Sequence, residues 1–301
     1  MTFLYIFVNN ILPAFLLIGA GALLGRMFRL DVRTASRMTL YFFVPCLVFA
    51  SMINSTLNGN DVAHILLYLL LITGAVWLFC WIVARTCRLT QVQENALYLS
   101  TMFLNAGNLG LPILLFAYGQ EGMDRGIIFY IGSALLAHTL AAYFASRGRA
   151  GARDALLNAL KLPTMYAILL AFALRALHVA PPEFIFKACS LAGGAAIPTL
   201  LFILGVQLSR TKVQGNFGLI GLATATRLII APAMAFLLAA AMGLSGLTRN
   251  VCIFEASTST AVTAALMAIE FDCEPDFVTS VVFLTTLLSA VSLTVILGIL
   301  G

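Results

Sequence analysis

At 301 residues the chain is 61% apolar and only 10% charged, against about 45–50% and about 25% for an ordinary soluble domain, and that surplus of apolar surface excludes a water-soluble enzyme. The net charge of +5 reads as loop arginines facing a cytoplasm rather than as a nucleic-acid footprint. Six cysteines are scattered singly, without C-x-x-C or metal spacing, so they read as buried thiols and no metal or other cofactor is expected.

Apolar blocks of about 20 residues match a hydrocarbon core of about 30 Å, and ten such blocks are predicted: 5–25, 34–54, 62–84, 93–117, 126–146, 163–177, 182–208, 217–242, 248–269 and 277–300. The first lacks a basic segment ahead of it, its arginines following at Arg26, Arg29, Arg33 and Arg37, so it reads as a span rather than a cleavable signal. With the N-terminus outside, the inner loops carry twelve Lys/Arg, including Arg147, Arg149, Arg153 and Lys161, and the outer loops four. The positive-inside rule therefore puts both termini outside, on the side away from the cytoplasm.

The two halves echo each other. Ile11-Leu12-Pro13-Ala14 returns as Lys161-Leu162-Pro163-Thr164, Val44-Pro45-Cys46-Leu47-Val48-Phe49 as Ile197-Pro198-Thr199-Leu200-Leu201-Phe202, and Asn95 as Asn250, at offsets of 150, 153 and 155. Five spans per half, an odd number, make the second half enter the membrane upside down, and inverted repeats are a transporter architecture. The expectation is an all-α membrane protein of ten helices: a first repeat at 1–146, a cytoplasmic linker at 147–162 and a second repeat at 163–301.

Inside span four, Asn105-Ala106-Gly107-Asn108-Leu109-Gly110-Leu111-Pro112 joins two asparagines to helix breakers. Broken backbone at membrane depth is tolerated where it faces protein or a wet cavity, and the half-helix that follows presents a positive dipole end. The bland alternative is a packing kink with both amides bonded to neighbours. The repeat partner in span nine, Ser257-Thr258-Ser259-Thr260-Ala261-Val262-Thr263, sets hydroxyls where offset 155 places Asn105 and Asn108. Those hydroxyls either line a site or bond to their own helix. Both segments fall about 18 Å from a membrane face at 1.5 Å per residue, near mid-membrane.

Two full charges interrupt apolar spans, Arg227 and Glu255, and such charges are candidates for function. Their depths permit either a mutual salt bridge or separate roles, Arg227 toward an anion and Glu255 toward a coupling ion. His138, alone in span five, reads as structural ahead of a proton relay. Pro45 and Pro198 are expected to kink spans two and seven. Hydrolase, zinc-protease and phosphate-loop signatures are missing from the sequence.

At the Asn105–Pro112 segment, with its inverted repeat, the chain resembles the auxin efflux carrier family, which includes bacterial malate and malonate permeases. Val44–Phe49 resembles the family's proline-bearing second span, Asn105–Pro112 its first crossover, and Glu255-Ala256 with the small residues after it the start of its second. Ser259 stands where the family usually has proline. The resemblance implies a dimerising scaffold of spans one, two, six and seven, and an elevator-like transport domain of the others. Substrate would be held at the crossovers, where the candidate residues are Asn105, Gly107, Asn108, Ser257, Thr258, Ser259, Thr260 and Thr263, with Arg227 of span eight as a further candidate and Gly110 and Pro112 at the break. The reading is a secondary transporter of small organic anions, carboxylates, in a bacterial inner membrane, since the chain lacks the long central loop of the plant members, and its residues permit sodium or protons as coupling ion. Its rival is a membrane sensor that binds a small molecule without moving it.

Overall fold

A computed structural model describes residues 3–145, 163–270 and 272–301, side chains of 138–145 excepted, and the regular structure among them is helical. The expected linker at 147–162 and the His138 side chain lie outside the described residues. In chain order the helices are α1 (Phe3–Met27), α2 (Val32–Asn54), α3 (Gly59–Thr86), α4 (Gln91–Met102), α5 (106–118) and α6 (120–145). There follow α7 (Pro163–Ala176), α8 (Glu183–Ser209), α9 (Phe217–Ala241), α10 (Gly246–Ala256), α11 (Val262–Glu270) and α12 (Pro275–Leu300).

Six of these, α1, α2, α3, α8, α9 and α12, are long and apolar enough to cross a membrane, and α7 is a shorter apolar helix. Two other blocks predicted as single spans, 93–117 and 248–269, are each interrupted near the middle, giving α4 with α5 and α10 with α11. Polar side chains mark the starts. Asn58 caps α3 by accepting from the Asp61 N–H at 2.8 Å, Thr90 and Gln93 form a reciprocal capping box on α4, and the Asn216 side chain accepts from Gly218 and Leu219 at the head of α9. Each satisfies backbone donors that a helix start leaves open.

A recurring device loosens the helices ahead of prolines. Wide π turns at Phe7–Ile11, Thr39–Phe43, Ala106–Gly110 and Thr226–Ile230 each stop two residues before a proline, at Pro13, Pro45, Pro112 and Pro232. Proline brings no N–H and its ring crowds the carbonyl four residues back. Slipping one bond to the fifth residue, as from the Val44 N–H to the Thr39 carbonyl, makes room for the ring. Pro45 is accommodated in this way. At Pro198 the helix is instead interrupted by a turn at Ala195, between Glu183–Gly194 and Ala196–Ser209.

Burial follows the helical period. On α3, Ile65, Tyr68, Leu69, Ile72, Val76 and Cys80 are buried, while Leu70, Leu71, Trp77 and Leu78 between them face outward. Large apolar side chains are exposed on α1, α8 and α9 as well, at Leu16, Leu191 and Leu237. That outer coat suits lipid and would be costly in water.

Between α5 and α6 the chain turns at Gly119, with φ 64° and ψ −159°, a region open essentially to glycine alone. Gly119→Ala is expected to cost about 1–3 kcal/mol in thermal unfolding of the detergent-purified protein. Gly74→Ala, in mid-α3 with open space around its Cα, should be neutral or slightly stabilising, because alanine is the better helix former.

Candidate functional site

The interruptions after α4 and α10 meet. Past Met102 the backbone becomes extended at Phe103, with φ −88° and ψ 110°, and helix resumes only at Ala106. Past Ala256 it stays non-helical until Val262. The two stretches lie antiparallel. The Asn105 N–H donates to the Ser259 carbonyl at 2.9 Å and the Ala261 N–H to the Phe103 carbonyl at 2.9 Å, pairing Leu104 with Thr260 as a single β-bridge. Ser259 introduces no helix-breaking ring, yet the second stretch is open, because backbone groups released from helix find partners in the first.

Hydroxyls fasten the bridge to its surroundings. Thr260 Oγ1 donates to the Ser100 carbonyl at 2.6 Å, and Thr285 Oγ1 accepts from the Thr260 N–H at 3.2 Å. Ser259 Oγ lies 3.5 Å from the Asn105 amide and 3.4 Å from Thr286 Oγ1. Ser257 and Thr258 hydroxyls bond back within α10, to the Ile253 and Glu255 carbonyls. Asn105 and Ser257 through Thr260 are thus buried and engaged. Asn108 is half-buried and Thr263 exposed, so these two, which the offset of 155 equates, stay within reach of a ligand. Gly107 packs under the Tyr130 ring, where a Cβ would come within 2.6 Å of it.

Arg227 sits beneath the bridge, 1% exposed. Nε donates to the Thr258 carbonyl and Nη2 to the Ala256 carbonyl, each at 2.8 Å, and Nη1 reaches the Thr101 carbonyl at 3.5 Å. Its charge therefore meets the C-terminal ends of α4 and α10, where helix dipoles are negative. No ion pair joins it to Glu255: among the described residues the salt bridges are Arg125–Glu121 and Lys187–Glu183. Glu255 is fully buried, and neither carboxyl oxygen has a hydrogen-bond partner there.

Two cavities lie along α5 and α11, the helices that resume after the interruptions. One, of about 520 Å³, is walled by Leu115 and Phe116 of α5 and by Ser51, Asn54, Ser190 and Pro198 of α2 and α8. Behind it the Asp124 carboxylate accepts from Ser51 and, at 2.8 Å, from the Gln120 amide. The other, of about 590 Å³, is walled by Val262 and Leu266 of α11 and by Gln207, Arg210, Lys212 and Asp276. Each cavity is thus bounded by the helix that begins at one of the two interruptions. Sequence reasoning did not single out Ser51, Ser100, Gln120, Asp124, Thr285 or Thr286. Ser100 and the Thr285-Thr286 pair were visible as hydroxyls inside apolar stretches, whereas Asp124 had no local signal.

The sequence profile of a family described as membrane transport protein matches residues 6–297. An uncharacterized transporter of Methanothermobacter thermautotrophicus is 28% identical over 271 residues, which make up 90% of this chain and 89% of the relative. An uncharacterized transporter of Methanocaldococcus jannaschii is 25% identical over 270 residues, 84% of this chain and 85% of that protein.

Proposed function

The chain belongs to the membrane transport protein family, that of the auxin efflux carriers, and from that premise we propose that it moves small organic anions, carboxylates, across a prokaryotic plasma membrane by alternating access. In this reading α4–α5 and α10–α11 are the broken spans of two inverted five-helix repeats, ten spans in all, with both termini outside. The observation that carries it is the antiparallel bridge of Leu104 and Thr260, since two crossing broken helices are where transporters of this build hold substrate. The two cavities, one walled by α5 and the other by α11, would supply the alternate openings. Asparagine amides, the N-terminal ends of α5 and α11, and Arg210 and Lys212 in one cavity form the donor-rich, positive surroundings that a carboxylate requires. An elevator-type movement would carry α3–α6 and α9–α12 against α1, α2, α7 and α8, whose exposed apolar faces, at Leu170 and Phe184 among others, would serve a homodimer.

Counterflow in proteoliposomes tests the reading. Vesicles preloaded with malate, malonate or another carboxylate of a small panel should accumulate the same labelled anion. Ligand-induced thermal stabilisation without flux for any member would make the protein a sensor instead. Asn108→Leu removes an amide that bonds no helix partner and should weaken apparent affinity about 10-fold at an unchanged melting temperature, the worth of one lost hydrogen bond. Asn105→Leu should go further and abolish transport, through the bridge it flanks. Wild-type rates in both variants would place the site elsewhere.

A further inference from the structure

Glu255 is the buried ionisable group that the reading above leaves unused. Its carboxyl is 0% exposed and has no hydrogen-bond partner among the described residues, although it lies at the end of α10 beside the bridge. The seat is shaped for it. A Cβ at Gly110 of α5 would stand 2.2 Å from Oε2, and one at Gly126 of α6 would stand 3.2 Å from Oε1, with the Leu111 and Leu114 side chains against that same glycine. Two helices have given up side chains where the carboxyl rests.

Among the described residues, no ionisable side chain on the surrounding helices bonds the Glu255 carboxyl. Arg227 of α9 is bonded to the Thr258, Ala256 and Thr101 carbonyls. Tyr68 of α3 donates to the Ala235 carbonyl, Tyr130 of α6 covers Gly107, Asp124 of α6 holds Ser51 and Gln120, and Arg125 bonds Thr248. Cys252 is one turn back on α10 itself, Arg249 near the start of that helix lies over the Phe236 ring and bonds Asn250, and Tyr118 closes α5 with its hydroxyl likewise unpartnered. Asp61, His64, Glu121 and Asp276 stand at the starts of α3, α6 and α12. An isolated carboxylate in such apolar surroundings is very costly, and such a group is neutralised rather than left charged. A hard metal ion would gather about six oxygen ligands, whereas glycine Cα and leucine flank this carboxyl. A proton requires only the carboxyl oxygen itself.

We propose that Glu255 is a proton-binding site, loaded in the arrangement seen here, where its carboxyl is fully buried, and emptied when water reaches the paired breaks, so that proton movement accompanies substrate movement. On emptying, the carboxyl O–H bond breaks, its electron pair stays on the carboxylate and the proton passes to water. Only the coupling rests on the transporter reading, and two measurements separate the claims. Infrared spectra of the lipid-reconstituted protein at neutral pH should contain the C=O stretch of a protonated carboxylic acid that is lost in Glu255→Gln and kept in Asp124→Asn. Should the glutamine variant not be recovered folded, Glu255→Asp should shift the same band. A wild-type spectrum without a Glu255-dependent acid band overturns the proposal, as does loss of the band when sodium chloride replaces potassium chloride at constant pH, which would assign the seat to sodium. With a pH dye sealed inside the vesicles and L-malate as probe, lumenal pH should change with malate flux, and in Glu255→Gln the ratio of protons to malate should fall to background. Malate flux with no proton movement in the wild type would overturn the coupling. If malate does not move, the carboxylate reading fails for that anion while the infrared band still decides whether Glu255 holds a proton.

Discussion

Arg227→Leu is expected to cost about 2–6 kcal/mol of stability, because it leaves the Ala256 and Thr258 carbonyls, each now receiving a 2.8 Å bond, buried without a donor at about 1–3 kcal/mol apiece. The loss should show as a lowered melting temperature and as proteolytic opening of the segment joining α10 to α11. Arg227→Lys keeps the charge but not the fork that serves two carbonyls at once, and should recover only part of the loss. Pairing with Glu255 predicts a different result: neutralising both residues would restore stability, since neither charge would then be stranded. No such pair is present, so Arg227→Gln combined with Glu255→Gln should be no more stable than Arg227→Gln alone. A double-mutant cycle on melting temperature decides it, and recovery in the double variant would reinstate the pair. With its nitrogens committed to backbone, Arg227 holds the C-terminal ends of α4 and α10 together.

The location of the first interruption was legible because Asn105, Gly107, Asn108, Gly110 and Pro112 are each poor helix residues, and an apolar block that gathers all of them cannot stay helical throughout without a large cost. Its form was less so. Pro112 reads as the breaker, yet the chain leaves helix earlier, at Phe103, and Pro112 is absorbed by the π turn ahead of it. The offset of 155 set Asn105 level with Thr260, one residue from the observed partner Leu104. The pairing itself joins backbone to backbone, and a peptide group is the same at every position, so no side-chain pattern announces it. The partners of Arg227 were hidden for the same reason. A lone carboxylate was the visible candidate, whereas backbone carbonyls, present at every residue, were the actual acceptors. Among the described residues only six helices are long and apolar enough to cross a membrane unbroken, because the interruptions cut 93–117 and 248–269 into pieces too short to span and α7 is short.

Enlarging Gly205 should be the most damaging single change in the α1–α8 pair, and Gly205→Leu is expected to yield little folded protein. The backbones of α1 and α8 touch here. A Cβ at Gly205 would lie 1.9 Å from the Ile18 carbonyl oxygen, and one at Gly21 would lie 2.1 Å from that of Phe202. Such reciprocal approach of glycine Cα to a facing carbonyl is how small residues lock membrane helices together, where apolar burial gives no advantage over lipid. An ordinary carbon–oxygen contact is about 3.3–3.6 Å, so even Gly205→Ala must open the crossing by about 1.5 Å. Opening it affects more than the local contact, since Gly25 packs against Val206 one turn along and Pro198, about two turns back on α8, walls the cavity beside α5. Overpacking in a core costs about 1–3 kcal/mol when neighbours adjust. Main-chain atoms on both sides cannot, so Gly205→Ala should lie at or above the top of that range in thermal unfolding, with Gly21→Ala close behind. Gly221→Ala, on α9 with open space around its Cα, should leave the melting temperature unchanged or slightly raised. Equal melting temperatures for Gly205→Ala and Gly221→Ala would mean that α1 and α8 do not meet backbone to backbone.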